Sequence, residues 1–168
     1  ALARLRPPGA KRPNEEFLKH CIRCGECMKV CPNNSLQPLL FESGLYGMWS
    51  PVLVPRIGQC SYYCNACGKV CPTGAIKYLE LEDKQEYKIG LAYFDTTRCI
   101  PYVHKERCIT CEEYCPLPDK AIGIEEKDGL PYPYMIKERC IGCGLCEKVC
   151  PVPGLAATQG AAGIGVGL

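Results

Sequence analysis

Two stretches, CIRCGECMKVCP at residues 21–32 and CIGCGLCEKVCP at residues 140–151, share the pattern C-x2-C-x2-C-x3-C-P, and the rest of the chain is read outward from them. Three thiolates recurring every third residue let a loop wind around one corner of an iron–sulfur cubane and offer sulfur to three irons. The fourth Cys of such a run serves a different cluster, so quartets work in pairs. Two further quartets follow the same plan with a stretched first gap. CSYYCNACGKVCP supplies Cys60, Cys64, Cys67 and Cys71 with three residues in that gap, and Cys99, Cys108, Cys111 and Cys115 have eight. With Cys21, Cys24, Cys27, Cys31, Cys140, Cys143, Cys146 and Cys150, these account for all 16 cysteines, and each quartet closes on Cys-Pro. The sixteen are the candidate iron ligands of four 4Fe-4S clusters.

Composition agrees. In 168 residues, 47% are hydrophobic and 23% charged, which excludes wholesale disorder, and no apolar run is long enough to span a membrane. A net charge of +2 gives none of the one-signed field a nucleic-acid binder needs. Three Phe and one Trp are thin material for a core, so metal–ligand bonds are expected to order the chain, and without iron it is not expected to fold. Zinc sites use separated C-x2-C pairs, and disulfides give no reason for four Cys-Pro endings. Gly25, Gly68, Gly142 and Gly144 permit tight loops with amides aimed at sulfur, and Pro32, Pro72, Pro116 and Pro151 fix the chain's exit. Ile22, Val30, Val70, Ile109, Ile141 and Val149 are expected to pack around the clusters. His20 and His104 read as surface or outer groups, and Lys29, Lys69 and Lys148, each two residues before a fourth Cys, as a solvated face or, alternatively, as a docking surface for an acidic redox partner.

The fold class expected is α+β, short helices and hairpins around the clusters. Residues 1–16 form a basic, Pro-rich N-terminal segment, 17–156 the cluster domain, and 157–168 a Gly/Ala-rich flexible tail. Asn14 is expected to cap a short helix with Glu15 and Glu16 in its first turn. Residues 75–99 read as two strands around a charged turn, and 121–140 as a hairpin turning at Asp128-Gly129. Residues 31–60 lack that pattern and suggest a loop packed over a cluster or presented to a partner. The chain opens on Ala1 without a signal peptide, so removal of a leader or of a longer N-terminal part is expected.

A hairpin joining the second and third quartets favours nested pairing. On that expectation Cys21, Cys24 and Cys27 share a cluster with Cys150; Cys140, Cys143 and Cys146 with Cys31; Cys60, Cys64 and Cys67 with Cys115; and Cys99, Cys108 and Cys111 with Cys71.

The sequence resembles the polyferredoxins, and more narrowly the ferredoxin-type proteins of the periplasmic nitrate reductase and methylamine-utilisation systems (NapG/MauM type). RLRPPGA at 4–10, EEFLKHCIRCGECMKVCP at 15–32, the wide first gap of the third quartet and CPLPDKAIGIE at 115–125 carry the resemblance, which runs from about Leu5 to Ala157. The wider first gap of the second quartet departs from the family's usual form. The resemblance implies a duplicated two-cluster ferredoxin-like fold and electron relay between a membrane-bound donor and a reductase or dehydrogenase. It also implies export of the folded protein by the twin-arginine route to a periplasmic or membrane-associated location, with a cytoplasmic location as the alternative. No nucleophile–base constellation or phosphate loop is present, so a carrier rather than an enzyme is expected. The alternatives are an electron-input subunit of a larger oxidoreductase and a maturation factor.

Overall fold

The computed structural model describes residues 4–41 and 44–152 and the backbone of 164–167. Eight short helices and six short strands alternate along them: α1 Asn14–His20, α2 Glu26–Lys29, β1 Leu36–Pro38, α3 Gly44–Gly47, β2 Pro51–Leu53, α4 Ala66–Lys69, α5 Leu81–Glu86, β3 Leu91–Phe94, α6 Ile100–Val103, α7 Thr110–Glu113, β4 Ile122–Lys127, β5 Leu130–Met135, α8 Leu145–Val149 and β6 Ile164–Gly167. This is an α+β fold of ferredoxin type.

The chain is built as one plan used twice. In the first half, quartet, antiparallel hairpin β1–β2 and quartet follow one another; in the second, quartet, hairpin β4–β5 and quartet do the same. The third Cys of each quartet rides on a one-turn helix. These helices pack in pairs, α2 against α4 and α7 against α8. The β4–β5 hairpin turns where the sequence predicts, with Asp128 and Gly129 both at positive φ.

Three sequence expectations are corrected. Residues 75–99 are not a hairpin: strong helix formers with Glu82 and Asp83 in the first turn make α5, Ile76 takes an isolated bridge with Ala10, and β3 pairs instead with β6. Residues 31–60, read as lacking strands, hold β1 and β2, registered Leu36 to Leu53 and Pro38 to Pro51. The N-cap of α1 is Pro13, not Asn14, whose Oδ1 accepts a hydrogen bond from Arg6 Nε at 2.8 Å.

The boundaries also differ from those read in the sequence. Leu5 to Ala10 are buried, and this segment is stitched into the first half: Leu53 N donates to Leu5 O at 2.9 Å and Lys77 N to Gly9 O at 2.8 Å. Buried Arg6 donates to Ser50 Oγ and the Pro51 carbonyl and lies 4.7 Å from the centre of the Phe17 ring. Of the tail expected at 157–168, residues 157–163 and 168 lie outside the described residues, while 164–167 form a strand where a flexible tail was expected. The core threads between the cysteines: Leu5, Phe17, Leu36, Leu53, Ile76, Ile89, Ala92 and Ile122 pack with Cys27, Cys111, Cys140 and Cys146.

Candidate iron-sulfur centres

Four cavities of nearly equal size, each with about 320 to 350 Å³ of atom-free space including its mouth, are lined by four cysteines apiece. Site 1 has Cys21, Cys24, Cys27 and Cys71; site 2 has Cys60, Cys64, Cys67 and Cys31. Site 3 has Cys99, Cys108, Cys111 and Cys150; site 4 has Cys140, Cys143, Cys146 and Cys115. Every quartet therefore gives three thiols to one cavity and its fourth to the neighbour, but the partners are sequential, first with second and third with fourth.

The nested pairing is corrected in all four sites: Cys71 replaces Cys150 beside Cys21, Cys115 replaces Cys31 beside Cys140, Cys31 replaces Cys115 beside Cys60, and Cys150 replaces Cys71 beside Cys99. The reason is mechanical. The true hairpins lie inside each pair, and the segment joining the second and third quartets turns through α5 instead of tying them together.

The cavities suit a cubane better than a single ion. Among the described residues no three or more Cys, His, Asp or Glu side chains are disposed to hold one metal ion, and every Cys is free of disulfide bonding. Burial pushes the thiols of Cys27, Cys60, Cys67 and Cys111 up to about 12, a cost that bound iron would offset.

Fourth ligands differ. At Cys31 burial again raises the thiol, but the Ser35 hydroxyl, 3.1 Å from Sγ, with the amides of Ser35, Asn33 and Leu36, brings it below the ordinary value. At Cys71 burial is likewise outweighed, by the Ile76 amide at 3.3 Å together with Thr73 and Ala75.

The sites adjoin one another in an order that is not the order of the sequence. Burial is the largest influence on Cys67 and Cys27 of site 1 the next, so sites 1 and 2 adjoin. Cys60 N of site 2 donates to Cys143 O of site 4 at 2.8 Å. Cys146 of site 4, raised first by burial, also feels Cys111 of site 3. The order in space is 1, 2, 4, 3.

Close packing at Gly144 marks the joint between halves: a Cβ there would come within 2.7 Å of Pro55 Cβ, and one on Gly142 would meet the backbone of Gly90 in the connecting segment, both glycines having positive φ. Arg56 crosses the joint, its Nη1 donating to Glu147 O at 2.8 Å and Cys150 O at 2.9 Å, and its Nη2 to Val152 O at 2.9 Å.

Around the sites, Ile141 is buried as expected, whereas Ile22 is 63% exposed at the mouth of site 1. Near it, Arg23 Nη2 donates to Tyr46 O at 2.7 Å, tying the site 1 loop to the tip of the β1–β2 hairpin. That tip leaves Phe41, Leu45, Tyr46 and Trp49 exposed, Leu45 by 75%. His20 Nδ1 lies 2.8 Å from Glu16 O and His104 is exposed; neither lines a cysteine cavity. Lys29 pairs with Glu26 at 2.7 Å on the surface, Lys69 lies 5.7 Å from the Tyr78 ring centre, and Lys148 is exposed. Lys84, absent from the sequence-based site, is buried beside Cys60; a lone lysine in a polar run carries no signal of this.

Paired four-cysteine cavities inside a duplicated α+β frame define an iron–sulfur protein of ferredoxin type. A 4Fe-4S dicluster domain matches residues 106–153 and a 4Fe-4S binding domain residues 18–37. The chain is 38% identical over 157 residues to the ferredoxin-type protein NapG of Escherichia coli, covering 88% of this chain and 66% of that one. It is 35% identical over 163 residues to the methylamine utilization ferredoxin-type protein MauM of Methylorubrum extorquens, covering 92% and 71%. No solved structure matches. The chain belongs to the NapG/MauM family of ferredoxin-type proteins, with 4Fe-4S domains, and it spans about two thirds of the length of these relatives.

Proposed function

We propose that the sixteen cysteines hold four 4Fe-4S clusters, and that the chain carries single electrons along the line of sites 1, 2, 4 and 3 between two redox proteins. The observation that supports this reading most is the set of four equal cysteine cavities, each adjoining the next. The clusters, when bound, supply one-electron chemistry. The chain's own residues hold them in sequence, exclude water and supply the hydrogen bonds and charges that set each potential, with no bond made or broken in a substrate.

The exposed apolar tip at Phe41, Leu45, Tyr46 and Trp49 is continuous with the mouth of site 1 through Ile22 and the Arg23–Tyr46 bond, and it fits a redox protein docking there. This supports work inside a larger electron-transfer assembly. On the family resemblance, that assembly joins a membrane-bound donor to a reductase or dehydrogenase, at a periplasmic or membrane-associated location. No helix among the described residues is long and apolar enough to cross a membrane.

Iron and acid-labile sulfide analysis, with electron paramagnetic resonance of the reduced protein, tests the reading. About 16 irons per chain and spin-coupled reduced clusters are expected, at four irons per cluster. About eight irons, or stoichiometric zinc, would overturn it.

A further inference from the structure

Helix α5 buries one side chain, and it is Lys84, 1% exposed. The neighbouring Leu81, Glu82 and Asp83 face solvent, so the helix serves to bring an ammonium group inward. Lys84 Nζ donates to the carbonyls of Ser61 and, at 3.1 Å, Tyr62, and lies 5.9 Å from the centre of the Tyr62 ring. Ser61 and Tyr62 belong to the widened first gap of the second quartet, between Cys60 and Cys64. The extra residue in that gap and the buried lysine are therefore one construction.

Site 4, across the Cys60–Cys143 joint, is built otherwise. Its loop keeps the two-residue gap, and its Ile141 and Cys143 carbonyls accept from the neutral backbone amides of Ile89, at 2.9 Å, and Cys60. The two central sites thus face each other with one buried positive charge beside site 2. A buried ammonium costs free energy unless its partners compensate, and the Ser61 and Tyr62 carbonyls do so here. They hold it inside the loop whose two ends, Cys60 and Cys64, line site 2.

We propose that Lys84 is a potential-setting residue, a fixed charge held in the widened loop that raises the reduction potential of the cluster at site 2 and so favours the electron on the site 2 side of the joint. Adding an electron makes a cluster more negative, and a nearby cation in a poorly screened interior stabilises that state. The electron comes from the donor protein and leaves to the acceptor, and no proton is required. This inference rests on the proposal that site 2 holds a cluster.

The test is an electron paramagnetic resonance redox titration of the iron-loaded full chain as wild type, Lys84→Gln, Lys84→Met and Lys84→Arg. Gln keeps a hydrogen-bond donor without the charge, Met keeps the apolar stem, and Arg keeps the charge. Expected in the Gln and Met variants is a shift of one potential of the four to more negative values, by about tenfold in the reduction equilibrium, or about 59 mV for one electron. The other three should hold, and Arg should restore the wild-type value. Unchanged potentials in an iron-loaded Gln or Met variant would overturn the assignment. So would loss of one cluster from both neutral variants with normal loading in Arg, because Lys84 would then be a structural anchor. A wild-type chain without iron at site 2 would instead sink the reading beneath it.

Discussion

The amide of Cys60 donates to the carbonyl oxygen of Cys143 at 2.8 Å, so the first ligand of site 2 and the second ligand of site 4 are joined by one hydrogen bond. In the proposed four-cluster reading, this bond supplies a through-bond route from one central cluster to the other, running from sulfur through two short backbone segments.

Ligand sharing makes Cys71 a member of site 1. Cys71→Ser should cost about four of about sixteen irons, and adding Cys24→Ser should cost no more, because both remove the same cluster. Combining Cys71→Ser with Cys111→Ser should cost about eight. Iron analysis of the three proteins decides, and the reverse pattern, about eight irons lost on adding Cys24→Ser and about four on adding Cys111→Ser, would return Cys71 to the third quartet's cluster.

Arg56 satisfies the carbonyls of Glu147, Cys150 and Val152 from the opposite half. Arg56→Ala should lower the opening free energy of the α8 amides by about 2 kcal/mol, the scale of hydrogen bonds from a charged donor. Arg56→Lys should recover only part of this, since an ammonium cannot fork across three acceptors. Hydrogen exchange at α8, compared with α1 as an internal reference, measures both.

At the hairpin tip, Trp49→Ala with Leu45→Ser should leave iron content and all four potentials unchanged while slowing electron exchange with the partner by about tenfold or more, as loss of an aromatic anchor does. Stopped-flow mixing with the reduced donor or oxidised acceptor reads it out. An unchanged rate with both would move docking to another face.

Iron removal should unfold the chain. The buried apolar residues form a thin network threaded between cysteines, and four cavities emptied of iron would leave buried thiols with little to hold them together. Treatment with a chelator under reducing conditions should abolish far-ultraviolet circular dichroism in step with the loss of visible cluster absorbance. Retention of native dichroism in the iron-free chain would contradict this.

The cysteines and the β4–β5 turn were legible because each carries its chemistry locally: spacing for the ligands, Asp128-Gly129 for the turn. Pairing was not, because it depends on which segments become hairpins. LELEDKQEYK at 79–88 alternates apolar and charged residues like a strand at its start, yet its helix formers prevail once β3 finds β6 as its partner. Lys84 was hidden for a related reason. Its meaning lies in the Ser61 and Tyr62 carbonyls it meets, some 22 positions earlier in the chain, and nothing nearby marks it.

Sequential sharing of ligands also orders the protein in time. All eight cysteines of sites 1 and 2 have been synthesised once Cys71 is made, and the N-terminal segment finds further backbone partners at Ile76, Lys77, Lys88 and Ile89 soon after. The first half can therefore be complete, metal included, before the third quartet has left the ribosome, as domains folding from the N-terminus do. Nested sharing would have held the first quartet's site open until Cys150. As built, the chain exposes at most one unfinished pair of sites at a time, which limits the wrong cysteines that an arriving cluster can meet.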